Sequence, residues 1–427
     1  MGTRVLTAAE PFRYTDGRLH CEAVSLEDLA TEYGTPLYVY SSTAIVERYR
    51  ELDRAFQGVD RLIAYSVKAN GNLSVLRLLA SEGAGADIVS GGELHRALAA
   101  GIPAENIVFS GVGKTAPEME AALDAGIYGF NVESEGELRL LSEVAASAGR
   151  EAPIALRINP NIETPTPHAY TRTGHLETKF GIPSEDALRL YRLAADLPGI
   201  RIRGIDVHIG SQIVEVEPYR RALVHVVELI ELLRLDGIEL EYLDLGGGFG
   251  VAYEEGADAP VDEFARILMP YLDKVGLRLV LEPGRFIVGP AGVLLTRVLY
   301  IKEMGGKTFI ITDAGMNDLL RPSHYSGYHG VDPVRQFAGR DEVRADIVGP
   351  VCETGDFLAL DRSIVRPEPG ELLAVRTAGA YGFSMASQYN ARVRPAEVLV
   401  GNDSFRLIRR RETYEDLVRG EVELLES

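Results

Sequence analysis

The sequence predicts an α/β protein, a (β/α)8 TIM-type barrel joined to a C-terminal β-rich domain that also takes in an N-terminal strand segment. Three observations predict this fold. Between about residues 60 and 285, eight apolar runs alternate with seven segments of helical spacing, a pattern typical of parallel strands. Polar residues recur where these runs end. After Gly289, short β-branched runs separated by Gly, Pro and Asp replace the helical spacing.

The barrel prediction rests on counting strands and helices. The predicted strands are Leu62–Val67, Ala86–Val89, Ile107–Phe109, Gly129–Val132, Ile154–Ile158, Gly204–His208, Tyr242–Leu245 and Leu279–Leu281. The predicted helices between them are Leu73–Ser81, Glu93–Ala100, Ala116–Ala125, Glu135–Ala148, Glu185–Leu197, Tyr219–Leu235 and Val261–Lys274. Eight units in about 225 residues fit a closed barrel. The alternative prediction is an open doubly wound sheet. The sequence argues against it, because no G-x-G-x-x-G motif directly follows the first strand.

We expect two domains, since 427 residues exceed the usual size of one. The barrel domain is expected to span residues 43–287, and residues 1–42 together with 288–427 to form the β-rich domain. The stretch Pro36–Tyr40 is a predicted strand before a helix-like stretch, Thr43–Phe56, and we expect this strand to pair with the C-terminal β domain. Other strands predicted there are Val293–Ile301, Thr308–Thr312, Ala345–Val348 and Leu372–Arg376.

Composition argues against several classes of protein. Hydrophobic residues make up 46% and charged residues 25% of the chain, which is ordinary for a soluble globular protein. The net charge of −19 argues against a nucleic-acid or anionic-membrane surface, and no apolar run is long enough to span a bilayer. The two distant cysteines, Cys21 and Cys352, form neither a zinc pattern nor a disulfide framework. We therefore predict no metal site and a cytoplasmic location.

The stretch Tyr65–Asn70 contains the most informative lysine. Lys68 follows the apolar run Leu62–Tyr65 and precedes small polar residues, which puts its amine at the carboxyl end of the first strand. A partly desolvated amine there loses its proton more easily and can form a Schiff base with a carbonyl. An isolated lysine at a strand end is usually an ordinary surface residue, so this interpretation depends on the rest of the chain.

Two loops near the end of the predicted barrel indicate a phosphate site. Residues 246–248 are glycines that follow the seventh strand, where their backbone N–H groups can approach an anion closely. Glu282, Pro283, Gly284 and Arg285 follow the eighth strand, and in barrels the loops after strands seven and eight often bind phosphate. The Glu282 carboxylate could pair with a protonated pyridine nitrogen; a salt bridge with Arg285 is the alternative.

His208 and Ser211 lie at the end of the sixth predicted strand. A lone histidine is more often structural. Because Lys68, the glycine loop and Glu282 are predicted at the same end of the barrel, we predict that the His208 ring stacks on a planar cofactor and that Ser211 binds a phosphate. A Schiff-base lysine, a phosphate cradle, a carboxylate for a ring nitrogen and a stacking imidazole together describe pyridoxal 5'-phosphate. The residues so far predict a cofactor and a barrel, without a substrate.

At these residues the sequence resembles the alanine-racemase-fold, or fold-type III, pyridoxal-phosphate enzymes. The resemblance extends from about Pro36 to Val400. The motifs that carry it are Tyr65–Asn70, Ser90–Leu94, His208–Gln212, Gly246–Gly248 and Glu282–Arg285. Ornithine and arginine decarboxylases share these motifs in part, so the motifs alone define only the superfamily.

Four further stretches are similar to the diaminopimelate branch of this family. They are His168–Gly174 with Lys179–Gly181, Leu320–Pro322 with Tyr325, Cys352–Asp356, and Gly379–Met385. The resemblance implies decarboxylation of meso-2,6-diaminopimelate to L-lysine and CO2, the last step of lysine biosynthesis. This substrate has a second amino-acid end that must be held, and arginine suits its carboxylate as glutamate suits its ammonium.

The resemblance also implies a role for each site residue. Lys68 carries the cofactor and is catalytic together with Cys352, which returns a proton after CO2 leaves. The residues implied in cofactor binding are Lys68, Asp87, His208, Ser211, Gly248, Glu282, Pro283, Gly284, Arg285 and Tyr381. Those implied in substrate binding are Arg285, Arg321, Tyr325, Glu353 and Tyr381. Cys352 and Glu353 enter the partner subunit's site, which implies a homodimer with shared active sites.

Several alternatives stay open at this point. A sibling decarboxylase acting on ornithine, arginine, carboxynorspermidine or a specialised-metabolism amino acid would share the barrel motifs. A non-catalytic homologue that binds the cofactor or a protein partner would belong to another class. A racemase would need a second base, a part that Cys352 could take; a small buried hydrophobic residue is the other alternative for Cys352. The long connection from Asn159 to Lys179 is a candidate lid.

Overall fold

The computed structural model describes residues 10–162, 179–254 and 256–425. The chain divides into two compact units. One comprises Met1–Glu47, Tyr253–Gly256 and Ile287–Ser427, and is called the β unit below. The other comprises Arg48–Ala252 and Ala257–Phe286, and is called the barrel unit.

Eight parallel strands form the barrel unit. They are Arg61–Ser66, Gly85–Ile88, Ile107–Phe109, Gly129–Val132, Ala152–Asn159, Ile200–Asp206, Tyr242–Asp244 and Arg278–Leu281. Each strand pairs with the next, and the eighth pairs with the first, where Leu279 lies opposite Arg61. The sheet is therefore closed. This confirms the predicted barrel and excludes the open sheet. A short strand, Ile182–Pro183, pairs with the fifth.

The predicted helices between the barrel strands all form. Their bounds are Leu73–Ser81, Gly91–Ala100, Ala116–Ala125, Glu135–Ser147, Ala187–Asp196, Glu217–Leu235 and Val261–Val275. Local sequence sets several of their ends. The Ser90 hydroxyl accepts a hydrogen bond from the Glu93 amide at the start of the second helix, and Thr115 and Glu118 form a capping box at the start of the third. These caps satisfy amide donors that have no partner within the helix.

Apolar side chains fill the barrel interior between the strands. One buried cluster comprises Leu62, Ala64, Val108, Tyr128, Ala155, Tyr242 and Val280. Tyr242 lies opposite Gly204 on the neighbouring strand, and a Cβ at Gly204 would lie 2.5 Å from the Tyr242 ring. The Tyr242 ring therefore fits in this place only because residue 204 is a glycine and has no side chain. This buried cluster leaves little room for polar side chains between the strands, and the polar side chains of the site lie towards the carboxyl ends of the strands.

Antiparallel and parallel pairings combine in the nine-stranded sheet of the β unit. Its strands are Leu37–Ser41, Gly292–Met304, Lys307–Thr312, Val331–Pro333, Glu342–Val348, Phe357–Val365, Leu372–Val375, Ala396–Gly401 and Ser404–Arg409. The strand Leu37–Ser41 lies between Gly292–Met304 and Ala396–Gly401. This confirms that the N-terminal strand joins the C-terminal β-rich region, even though more than 200 residues separate them in the chain.

The β unit also contains a small sheet and several helices that the sequence did not predict. The sheet comprises Phe12–Thr15, Arg18–Cys21 and Val24–Ser25. These helices are Leu26–Tyr33, Arg321–Tyr325 and Tyr414–Val418. The helix Ser42–Ala55, which contains the boundary between the two units, confirms the helix-like stretch predicted at Thr43–Phe56. A buried apolar cluster that includes Leu19, Leu26, Val293 and Val398 joins the small sheet to the large one. Among the described residues, no helix is both long and apolar enough to cross a membrane.

Candidate active site

Lys68 lies in a short 3₁₀ turn, Val67–Ala69, directly after the first barrel strand. Its Nζ lies 2.8 Å from Oδ2 of Asp87 on the second strand. The Asp87 side chain is fully buried, whereas 36% of the Lys68 side chain is exposed. The amine therefore stands at the carboxyl end of the barrel, where a molecule can reach it while a buried carboxylate orients it.

The Lys68 amine is the cation that pairs with the buried Asp87 carboxylate. Oδ2 also accepts a hydrogen bond of 2.6 Å from the Ser66 hydroxyl. Oδ1 is buried and has no hydrogen-bond partner among the described residues. Because a buried charge is costly unless it is paired, the Lys68–Asp87 pair is a structural unit of the site.

Glu282 directly follows the eighth strand and is buried. Its Oε1 accepts hydrogen bonds from the Ser110 hydroxyl at 3.0 Å and from the Asn131 amide at 3.2 Å. Burial, reinforced by the charge of Asp87, raises the pKa of Glu282 to about 7, although Lys68 opposes the shift. A carboxyl group that changes charge near neutral pH is well suited to bind a basic ring nitrogen.

Two further buried acids lie at the ends of strands and were not predicted from the sequence. Asp206 ends the sixth strand and Asp244 ends the seventh. Asn131 donates a hydrogen bond of 3.2 Å to Asp244 as well as to Glu282. Burial is the larger cause and the charge of Glu282 the second; together they raise the pKa of each aspartate well above the usual range for this residue. An acidic residue inside an otherwise apolar barrel strand is the signal that could have identified them.

A buried ion pair supports the other side of the barrel end. The Arg157 guanidinium donates to Oε1 of Glu133 at 2.9 Å and lies 3.9 Å from Asp206. Glu133 also accepts hydrogen bonds from the amides of Gly111 and Gly181, each 3.0 Å long. These bonds tie the loops after the third, fourth and fifth strands together, so that the barrel end is held as one surface.

The His208 ring lies against the glycine loop after the seventh strand. The Gly247 amide donates to Nδ1 of His208 at 3.2 Å, so Nδ1 carries the lone pair and the proton of the neutral ring is on Nε2. Burial, with Arg157 and Lys68, lowers the pKa of His208 well below its usual range. A neutral, flat imidazole is therefore fixed at the barrel end.

The loops after the sixth and seventh strands are joined to each other. The Ile213 amide donates to the Gly248 carbonyl at 2.8 Å, and the Gly250 amide donates to the Ile213 carbonyl at 2.9 Å. Gly248 has a φ of +101°, and a Cβ there would lie 2.3 Å from the Gly210 carbonyl oxygen. Only glycine can occupy this position, because both its backbone and its surroundings exclude a side chain.

Arg285 reaches from the eighth-strand loop towards the sixth. Its Nη2 lies 3.3 Å from the Ser211 hydroxyl oxygen, and only 9% of the residue is exposed. In the same loop, a Cβ at Gly284 would lie 2.9 Å from the Cβ atoms of Ser66 and Ala69. The loop of Glu282, Pro283, Gly284 and Arg285 therefore packs directly on the turn that carries Lys68.

The structure thus brings the predicted barrel residues to one end of the barrel. These are Lys68, Asp87, His208, Ser211, Gly248, Glu282 and Arg285. They fit pyridoxal phosphate by their chemistry. The Lys68 amine suits the aldehyde of this cofactor, and the buried Glu282 carboxyl group, with a pKa of about 7, suits its ring nitrogen. The neutral, flat His208 ring suits the face of the cofactor ring. The glycine amides, with the Ser211 hydroxyl and the Arg285 guanidinium, suit the phosphate.

The β unit contains the other predicted residues. Arg321 is 8% exposed and begins the helix Arg321–Tyr325, and the Tyr325 ring packs against His324. Tyr381 is half-buried with a φ of +56°. The motif His168–Gly174 lies outside the described residues, as does most of the candidate lid between Asn159 and Lys179.

Cys352 and Glu353 are exposed in a loop of the β unit. The buried Asp356 carboxylate holds this loop, since it accepts hydrogen bonds of 2.6 Å from the Met316 and Val351 amides. The Cys352 amide donates to Asn390 Oδ1 at 2.6 Å. The buried-hydrophobe alternative for Cys352 is therefore wrong, because the thiol is on the surface.

Comparison with known proteins agrees with this geometry. Residues 42–289 match the model of the pyridoxal-dependent decarboxylase family, pyridoxal binding domain. The chain is 51% identical to a diaminopimelate decarboxylase of Aquifex aeolicus, over 96% of this chain and 97% of that protein. It is 48% identical to one of Neisseria meningitidis serogroup B, over 96% and 98%.

A solved structure is similar across both units. The crystal structure of diaminopimelate decarboxylase from Helicobacter pylori in complex with L-lysine superimposes with a TM-score of 0.89 at 42% identity, covering 93% of this chain and 99% of that one. With relatives this similar over nearly the whole length, the chain belongs to the diaminopimelate decarboxylase family of pyridoxal-phosphate-dependent decarboxylases.

Proposed function

We propose that this enzyme decarboxylates meso-2,6-diaminopimelate to L-lysine and CO2 with pyridoxal 5'-phosphate. The observation that carries the proposal is the Lys68–Asp87 pair at the carboxyl end of the barrel, together with the buried Glu282 carboxyl group that Ser110 and Asn131 hold there. When bound, pyridoxal phosphate would supply an electron sink for the pair released as the carboxylate leaves. The reaction breaks the bond between Cα and that carboxylate, and a proton replaces CO2 on Cα.

The barrel residues divide the work of binding the cofactor. Lys68 supplies the amine for the aldehyde, and Asp87 orients it. Glu282, whose carboxylate Ser110 and Asn131 fix, would hold a proton on the ring nitrogen and so keep the ring electron-poor. The His208 imidazole would lie against one face of the ring. Donors from the loops after strands six to eight, namely Ser211, the backbone at Gly248 and the Pro283–Arg285 segment, hold the phosphate.

We assign substrate selection to the residues that bind the distal end of the amino acid. Arg321 and Arg285, with Tyr325, bind the distal carboxylate, and Glu353 binds the distal ammonium; Tyr381 contacts both substrate and cofactor. The supporting observation is that the Arg321 guanidinium is nearly buried, because a buried cation favours a ligand with a complementary charge. Ornithine and arginine lack a second carboxylate and would leave such a cation unmatched.

We assign Cys352 as the donor of the proton that replaces CO2 on Cα. Its Sγ–H bond breaks, the proton goes to Cα, and the thiolate regains a proton from solvent. Cys352 and Glu353 act in the site of a partner subunit, so the working form is a homodimer with shared active sites. Their exposure in a loop held by Asp356 and Asn390 supports this proposal, since an exposed but rigid loop can enter a neighbouring molecule.

Two coarser assignments accompany this function. Residues 43–287 are assigned to the cofactor-binding domain and residues 1–42 with 288–427 to the β-rich domain. A cytoplasmic location is proposed from the cysteine usage, since Cys21 and Cys352 are both free thiols.

The test is to follow CO2 release and product identity with the purified enzyme and pyridoxal phosphate. Meso-diaminopimelate should give L-lysine at a kcat/KM at least about 100-fold above L-ornithine, L-arginine and carboxynorspermidine, because these competitors lack the distal carboxylate that Arg285 and Arg321 are assigned to bind. A faster reaction with any of these three would reassign the substrate. Stereoisomerised diaminopimelate without CO2 would indicate a racemase, and no turnover of any of them would indicate a non-catalytic homologue.

A further inference from the structure

A buried histidine in the β unit contacts the guanidinium of Arg321. His329 is 0% exposed and lies between the helix Arg321–Tyr325 and the strand Val331–Pro333. Its Nε2 is 2.7 Å from Nη1 of Arg321. Its Nδ1 is 2.7 Å from the carbonyl oxygen of Arg376. The ring therefore bridges a backbone carbonyl and an arginine side chain.

These two partners determine the tautomer of His329. A carbonyl oxygen can only accept a hydrogen bond, so Nδ1 must carry a proton. A guanidinium can only donate, so Nε2 must present its lone pair. A ring protonated on both nitrogens would direct an N–H group at the N–H groups of Arg321. The geometry consequently requires a neutral imidazole, with its proton on Nδ1.

The backbone around His329 is held by the sheet. The Arg376 amide donates to the Gly330 carbonyl at 2.8 Å, and Val331 lies opposite Val375 in the antiparallel pair that follows. The carbonyl that binds Nδ1 thus belongs to a residue already tied to the neighbouring segment. The imidazole is fixed by the same ladder that fixes the strand.

An aromatic ring also contacts Arg321. The Tyr253 ring centroid lies 4.4 Å from the guanidinium carbon of Arg321 and 5.2 Å from the His329 ring, which meets it edge to face. A guanidinium over an aromatic face is held by attraction to the ring as well as by hydrogen bonds. His329 and Tyr253 therefore restrict the plane of the guanidinium from two sides.

We propose that His329 is a positioning residue that aims the Arg321 guanidinium at the distal carboxylate of the substrate. The inference rests on the function proposed above for Arg321. A neutral imidazole orients the guanidinium without cancelling its positive charge, whereas a carboxylate in the same place would compete with the ligand. The charge thus stays available to the substrate, and its direction is set in advance, which reduces the ordering cost of binding.

Two substitutions separate the contacts of His329. In His329→Asn, the amide nitrogen can replace Nδ1 and keep the bond to the Arg376 carbonyl, but nothing replaces Nε2. In His329→Gln, the longer amide can present an oxygen near the Nε2 position and keep an acceptor for Arg321. A residue that only fills space would tolerate Asn at least as well as Gln. A positioning residue requires the opposite order.

The readout is ligand binding to the holoenzyme, followed by the visible absorbance of the cofactor. L-lysine keeps the distal carboxylate, and cadaverine is the same diamine without it. His329→Asn should weaken L-lysine binding about 10- to 100-fold, the loss expected for a hydrogen bond to a charged group, and leave cadaverine within about 2-fold. His329→Gln should restore most of the L-lysine affinity. Equal losses for both ligands, or no loss for L-lysine, would overturn the inference.

Two controls keep this inference distinct from the function on which it rests. His20→Asn alters another histidine of the β unit, whose Nδ1 also lies 2.9 Å from a backbone carbonyl, and should change neither affinity. Arg321→Gln should itself abolish the preference for L-lysine over cadaverine. If it does not, the proposed role of Arg321 is wrong; if it does and His329→Asn does not, only the role of His329 is wrong.

A measurement on the unaltered enzyme is independent of any folding defect in the variants. Nitrogen-15 NMR of labelled holoenzyme, with the His329 signals identified from their loss in His329→Gln, should show a neutral ring protonated at Nδ1. A ring protonated at Nε2 alone, or at both nitrogens, would contradict the assigned geometry.

Discussion

The amine of Lys68 and the hydroxyl of Ser66 share one carboxylate oxygen of Asp87, at 2.8 and 2.6 Å. The shared oxygen lies on the second barrel strand, and both donors come from the end of the first or the turn after it. The position of the amine is thus set by the pairing of two adjacent strands. This relationship makes Lys68 a rigid part of the barrel rather than a flexible surface lysine.

Replacement of this amine should remove covalent attachment of the cofactor. Lys68→Ala is expected to lack the visible absorbance of lysine-bound pyridoxal phosphate and to lose at least about 1,000-fold in kcat, because both attachment and orientation are lost. Borohydride reduction followed by peptide mass analysis should label the wild-type peptide that contains Lys68. Lys274→Ala, on an outer helix, serves as the control, and a label on any other lysine would contradict the assignment.

Glu282 should make the stability of the cofactor-free enzyme depend on pH. Folding raises its pKa from 4.5 to about 7, so the stabilisation from binding that proton is present below about pH 4.5 and is lost as the pH rises through 7. Glu282→Gln lacks this loss and should be the more stable form at pH 8, by up to about 3 kcal/mol. Thermal unfolding of both apo-proteins from pH 5 to 8 measures the difference.

The two apo-protein curves should converge towards pH 5, where Glu282 is protonated. The exposed Glu143→Gln is the matched control and should follow the wild type at every pH. Parallel curves for wild type and Glu282→Gln would show that Glu282 is already charged throughout. With cofactor present, Glu282→Gln should lower kcat, because an amide cannot balance a protonated ring nitrogen.

Gly248→Ala should weaken cofactor binding. A Cβ at this position would lie 2.3 Å from the Gly210 carbonyl oxygen, and the φ of +101° disfavours alanine in addition. The joined loops after strands six and seven must therefore move apart, which displaces their phosphate donors. We expect at least about a 10-fold rise in the Kd of pyridoxal phosphate, measured by cofactor titration. Gly113→Ala, which meets nothing within 4 Å, should leave the Kd unchanged.

Shared active sites predict that two inactive variants restore each other. Lys68→Ala and Cys352→Ala should each be nearly inactive alone. After mixing under conditions that exchange subunits, hybrid dimers carry one intact site, so activity should approach about a quarter of wild type for random exchange in a two-fold symmetric dimer. Absence of restoration despite proven exchange would assign Lys68 and Cys352 to the same chain's site. Cys352→Ala should retain cofactor absorbance, unlike Lys68→Ala.

Much of the fold could be predicted because its signals are local. The alternation of apolar runs with helical spacing predicted the eight barrel strands, and the N-terminal strand was correctly assigned to the β-rich region. The short helix Leu26–Tyr33 and the small sheet beside it were missed, since their packing depends on Val293 and Val398 far along the chain.

The supporting residues of the site were harder to predict than the residues they support. Ser110 and Glu282 are 172 positions apart and meet only because the barrel closes. Asp206 and Asp244 are the last residues of their strands, but they lie inside the predicted strands Gly204–His208 and Tyr242–Leu245, where apolar residues are expected. His329 is a single histidine in an irregular segment, and nothing nearby in the sequence indicates its contact with Arg321.

The sequence by itself determined the order of strands and helices, and it determined which reactive side chains follow which strand, because both depend on neighbours within a few positions. Only the tertiary structure decided the charge states: the raised pKa values of Glu282, Asp206 and Asp244, and the tautomers of His208 and His329. The physical reason is that a proton's affinity depends on desolvation and on charges and donors brought together from distant parts of the chain.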